Sequence, residues 1–165
     1  MENVTQVASY IVKRYNAEFH QSIDEMKLHK LLYLTQRESL IQLGEPMFSD
    51  SFEGWRYGPV MVSIRALYAE NRLNESLPAT SEFRYKAVFD SVFSLYAVKS
   101  SWSLSDLTHC ESSWLNSRKG LSRDEVGHVK LSLDDIRKDA LEIKRRRAIM
   151  PVVRKLYEGF ANGNH

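Results

Sequence analysis

The sequence predicts a mainly α, single compact helical domain with a small two- or three-stranded β element. Three observations carry that prediction. Apolar residues recur at three- and four-residue spacing in segment after segment, the period of a helix with one buried face. Only Phe52 to Tyr57 and Val126 to Leu131 read as strands. No internal repeat, low-complexity stretch or linker divides residues 1–165.

The first helix is expected from about Val4 to Glu18, where Val4, Val7, Ala8, Ile11, Val12 and Tyr15 form the stripe. Ser22 and Glu25 then form a capping-box pattern for a second helix. Its apolar residues, Met26, Leu28, Leu31, Leu32, Leu34, Leu40 and Leu43, cover more than one face, which predicts a central helix. Gly44 suits its C-terminal cap, and Pro46 prevents continuation. Gly58-Pro59 follows the first strand, with Pro59 expected in the first turn of a helix carrying Val60, Ile64, Leu67 and Tyr68. Asn71 to Ser81 reads as a loop. Tyr85, Val88, Phe89, Val92, Phe93 and Tyr96 mark the next helix, and Ser103 with Asp106 marks the start of another. Trp114 and Leu115 belong to a short helix ended by Gly120. Val126 to Leu131 is expected to pair with Phe52 to Tyr57. Ser132 caps a last helix with Ile136, Ala140 and Ile143 inside; Pro151 is expected to kink or split it before Leu156 and Phe160.

Composition narrows function. Hydrophobic residues at 43% and charged residues at 27% are ordinary for a globular chain and argue against disorder. A net charge of +2 gives no compositional reason to expect a membrane or nucleic-acid partner. The lone Cys110 can form no internal disulfide, and the Met-Glu-Asn start opens no apolar run, so a cytoplasmic location is expected.

Candidate chemistry is sparse. Thr108-His109-Cys110-Glu111 is the densest reactive run. Helical neighbours point in different directions, so His109 and Cys110 should not face each other as a nucleophile pair. Cys110 is instead expected as a small buried side chain and His109 as a hydrogen-bonded structural one; His29, among leucines, is read the same way. One cysteine and scattered histidines offer no zinc spacing. No phosphate-cradling glycine loop occurs. The expectation is no enzyme, no metal and no cofactor. Lys144, Arg145, Arg146 and Arg147 form a basic run that cannot all face the core, so they should be exposed while Ile143 and Leu156 turn inward. Trp55, Tyr57, Arg145, Arg146 and Arg147 are the candidate partner-binding residues. The basic helix also leaves open a DNA-binding or adaptor-type regulator, although no base-reading element is apparent.

Several blocks resemble one family. Leu28-His29-Lys30-Leu31-Leu32-Tyr33-Leu34 is similar to the central-helix signature of the Panacea antitoxin domain, also called SocA-like or GepA-like. Gly44-Glu45-Pro46-Met47-Phe48 resembles its turn. Phe52 to Val60, with Trp55 and Tyr57-Gly58-Pro59, resembles its most recognisable block, and Leu107-Thr108-His109 with Glu111 and Trp114 a later one. Ser113 departs from the pattern, where the family usually has proline. About 151–165 lies outside the resemblance. The resemblance implies structural roles for Lys30, Leu31, Leu32, Tyr33, Gly58, Pro59, Thr108, His109 and Trp114. It further implies an antitoxin that binds a cognate protein toxin encoded beside it, with a cellular protease as an alternative route of neutralisation.

Overall fold

A computed structural model describes residues 1–162. The fold is built around the second helix. Helix α1 (Val4–Phe19) begins at Asn3, whose side chain accepts from the Thr5 N–H, and buries the predicted stripe except Val12, which is half-buried at the core's edge. Helix α2 (Glu25–Leu43) is buried from Lys27 through Ile41, on every face. It therefore packs against α1 on one side and, further along the chain, against α5, α6 and α8. Its N-cap is Asp24, which accepts from the Lys27 N–H at 2.8 Å, rather than the expected Ser22. Aspartate caps as well as serine does, and it stands next to the first helical residue. Gly44 ends α2 in the left-handed region, φ 73°, as expected.

The predicted first strand is instead a hairpin. Strands β1 (Glu53–Trp55) and β2 (Gly58–Val60) pair antiparallel, with Gly54 opposite Pro59 and Trp55 opposite Gly58. Pro59 thus lies in a strand and not in the first turn of a helix. In a two-residue hairpin the pair beside the turn-closing one makes no ladder bond, so the missing N–H costs nothing there. Helix α3 (Val62–Ala69) starts after Met61.

The second predicted strand pairs where expected but only in part. Gly54 donates to the Val129 carbonyl (2.9 Å), Leu131 donates to the Phe52 carbonyl (2.8 Å), and Glu53 bridges Lys130. The ladder stops because the Arg118 guanidinium takes the Gly54 carbonyl at 2.9 Å.

Helix α4 (Ala79–Arg84) begins inside the predicted loop, and α5 (Lys86–Val92) runs into a π-helical segment, Phe93–Ala97. Helix α6 (Ser101–His109) is capped by Ser100, three residues before the expected Ser103, because the Ser100 hydroxyl accepts the Ser103 N–H. Helix α7 (Ser112–Ser117) follows. Helix α8 (Leu133–Asn162) starts immediately after Ser132 and runs unsplit through Pro151. Ile136 and Ala140 join the core and Ile143 packs at its edge, but Leu156 is exposed, against expectation. It lies beyond the last turn of α8 that the body reaches.

Candidate functional site

The matching blocks converge on the hairpin, which lies across α2 and α6. Gly58 closes this junction. Its φ is 112°, and a Cβ there would sit 2.5 Å from Lys30 Cε and 2.7 Å from Thr108 Oγ1. Glycine is required both for the backbone angle and for the approach. Below it the Lys30 ammonium, 1% exposed, donates to the Pro59 carbonyl at 3.3 Å. Burial lowers the Lys30 pKa to about 7, against weaker opposition from Asp24 and Glu25. From α6, the Ser105 hydroxyl donates to the Tyr57 carbonyl at 2.8 Å. From α7, the Trp114 indole N–H donates to the Trp55 carbonyl at 2.8 Å, and His109 stacks on the Trp114 ring at 4.1 Å. The hairpin is thus fixed from three helices.

Outside this junction opens a cleft of about 610 Å³, lined by Glu25, His29, Lys30, Trp55, Tyr57 and Arg65 among others. Trp55 is half-buried and Tyr57 exposed, with Arg65 over the Trp55 ring at 4.9 Å. Tyr57 meets the exposed Trp102 edge-on at 5.3 Å. His29 is buried, and its Nδ1 accepts from the Met61 N–H at 3.2 Å. The neutral ring then carries its proton on Nε2. Desolvation, with Lys30 and Arg65 adding repulsion, lowers the His29 pKa to about 3, so the ring stays neutral at physiological pH. Glu25 Oε1 is ion-paired with Arg65 at 3.2 Å, whereas His29 Nε2 is buried without a hydrogen bond, 3.6 Å from that oxygen. That is too long for a bond between them. The wall therefore offers one unspent donor, the His29 Nε2–H, beside a carboxylate held by Arg65 and near the Trp55 and Tyr57 rings, a place for an acceptor of a bound partner.

On the other side of α2 lies a buried charged network that sequence reading missed. Arg37 pairs with Glu111 and donates to the Tyr96 hydroxyl at 2.8 Å. Tyr33 bonds Glu111 and, at 2.8 Å, Ser113. Asp139 accepts the N–H groups of Ser112 and Ser113 at 2.8 and 2.9 Å. Ser113, the departure from the family pattern, uses a backbone N–H and a hydroxyl that proline lacks. Burial raises the Glu111 pKa, against the Arg37 charge. The available signal was the polar run Thr35 to Ser39 in a helix flanked by leucines, which a central position must bury.

The remaining predicted residues separate. Leu31, Leu32, Tyr33 and Thr108 are buried, and Pro59 lies inside β2. Cys110 is exposed rather than buried, because it ends α6 on the solvent side; its Sγ lies 3.6 Å from the Asp106 carbonyl. Lys144 to Arg147 are all exposed to some degree. Arg147 nevertheless reaches the fully buried Glu38 through two bonds of 2.7 and 3.0 Å. Arg146 bonds Glu142 at 3.0 Å, which leaves Lys144 and Arg145 free of ion pairs among the described residues. The structure thus does not bring Trp55 and Tyr57 together with Arg145, Arg146 and Arg147. Among the described residues no three His, Cys, Asp or Glu side chains gather as a metal site, and no helix is long and apolar enough to cross a membrane.

A family model described as antitoxin SocA-like, Panacea domain, matches residues 28–115. No curated protein and no solved structure matches the chain.

Proposed function

The chain belongs to the antitoxin SocA-like, Panacea domain family, and from that premise we propose that it neutralises a protein toxin encoded beside it by direct binding, without catalysis of its own. One observation supports the reading most. The blocks shared with the family frame a single cleft in which Trp55 and Tyr57 present aromatic surface and His29 an unspent N–H. Anchors of this kind dominate protein interfaces. Lys30 stands under the hairpin, closed in by Gly58 and Thr108, in a positioning role. Binding occurs in the cytoplasm. Masking of the toxin's active surface is the favoured route, with delivery to a protease as the alternative.

The test is co-expression. Inducing the adjacent open reading frame should arrest growth, and this chain should restore it and co-purify with the product. A Trp55→Ala, Tyr57→Ala double variant should lose rescue while keeping its helical circular dichroism. A non-toxic neighbour that never co-purifies with this chain refutes the reading.

A further inference from the structure

The last turns of α8 form an exposed surface outside the part that matches the family. Ile149, Met150, Val152, Leu156, Tyr157 and Phe160 are each between 57% and 77% exposed. Their spacing puts them on one side of the helix. At about 100° per residue, that stripe is rotated by about 120° from the face of Ile136, Ala140 and Ile143 that packs on the body. The fold therefore cannot cover it by bending α8 back along its packed face. Six large apolar side chains at this exposure leave on the order of 600 Å² open, a size that marks an interaction site on a soluble monomer.

Charge identifies what covers it. Lys144, Arg145, Arg146, Arg147, Arg154 and Lys155 precede or flank the stripe, with Glu158 the one acid from residue 143 onward. Lys144, Arg145, Arg154 and Lys155 have no ion-pair partner among the described residues. Arg147 is tied to Glu38 on α2, which fixes the base of the helix to the body, while Arg146 pairs with Glu142 within α8 itself. A second copy of this helix would bring four unpaired cations against four, with no acid beyond Glu158 to offset them, so self-pairing is disfavoured. Duplex DNA needs no apolar stripe, and an anionic lipid surface, which a basic amphipathic helix can also engage, is separated by the vesicle control below.

We infer that the end of α8 is a docking helix that lays its apolar stripe in a groove of the protein partner, with acidic residues of that partner meeting Lys144, Arg145, Arg154 and Lys155. This rests on the antitoxin reading and adds a second contact remote from the hairpin cleft. It predicts an interaction whose apolar part sets affinity and whose charged rim sets salt dependence.

The experiment uses the full chain and the purified product of the adjacent gene, by titration calorimetry at low and physiological salt. Leu156→Ser with Phe160→Ser should weaken binding by about tenfold or more, as should Arg154→Glu with Lys155→Glu. The charge-reversed pair should also flatten the salt dependence. All four side chains are exposed, so the fold should keep its melting temperature. If both double variants bind like the unaltered chain, the docking helix is refuted and the antitoxin reading stands. If the unaltered chain does not bind that product, the antitoxin reading fails and this inference with it. Three controls use the unaltered chain alone: sedimentation for self-association, vesicles containing one-third phosphatidylserine, and a duplex DNA gel shift. Tight binding in any of these that is lost with Leu156→Ser and Phe160→Ser overturns the choice of an acidic protein.

Discussion

Replacing Lys30 with methionine should stabilise this protein in acid and destabilise it in base. Burial lowers the Lys30 pKa from 10.5 to about 7. At about 1.4 kcal/mol per pH unit, the folded chain below pH 7 carries a cost on the order of 5 kcal/mol for retaining the ammonium. Lys30→Met keeps most of the stem volume and removes that cost. It also removes the bond to the Pro59 carbonyl and leaves that acceptor unmet, a loss of about 2–3 kcal/mol. The net gain near pH 6 is then about 2 kcal/mol. Between pH 7 and 10.5 the unfolded chain binds a proton at Lys30 that the folded chain does not, so wild-type stability rises with pH across that window. The variant lacks this slope. Its advantage should shrink above pH 7 and reverse near about pH 9, where the lost bond outweighs the remaining cost. Urea denaturation followed by tryptophan fluorescence, at a series of pH values from acid to base, measures the difference directly. A variant less stable than wild type near pH 6, or a difference that does not change with pH, refutes the buried-ammonium argument.

Three other perturbations follow from the packing. Arg147→Ala strands the buried Glu38 carboxylate with only Gln42 as a side-chain donor among the described residues, and should cost about 2–3 kcal/mol in chemical denaturation, with Arg147→Ala in a Glu38→Gln background costing clearly less. Gly58→Ala forces a Cβ onto Lys30 and Thr108 at a positive φ, so thermal unfolding should show a loss of about 3 kcal/mol or more, whereas Gly120→Ala, which meets nothing within 4 Å, should cost only about 1 kcal/mol for its backbone angle. His29 has a folded pKa of about 3, depressed mainly by burial, so its contribution to stability is complete above pH 6.5 and is lost as pH falls toward 3. His29→Gln can still accept the Met61 N–H and should move acid unfolding, followed by circular dichroism, to lower pH; an unmoved midpoint would mean His29 is not a group that drives it.

The sequence by itself determined most of the helices, though not α4, together with the order of the family blocks and the exposed basic run. Each of those follows from short-range rules. The Val4 to Tyr15 stripe and the Gly44 stop depend on neighbours three or four residues away, and a charged run on one helix cannot all be buried. The choice among nearby caps was less legible, because Ser22 and Asp24, or Ser100 and Ser103, offer the same chemistry and only the packed position of the helix selects one. What only the tertiary structure decided was where polar groups meet. Glu38 finds Arg147 across 109 residues, and Arg37 finds Glu111 across 74. Cys110 faces solvent although nothing in its neighbours says so. Pro59 sits in a strand because the hairpin register places it, opposite Gly54, where no ladder bond needs its N–H. His29 and Glu25 become cleft-lining groups only because the hairpin folds beside α2. Periodicity encodes which face of a helix is buried, but partners distant in the chain are set by the packing of whole elements, and that packing is what turns buried charge from a cost into a paired network or an open binding wall.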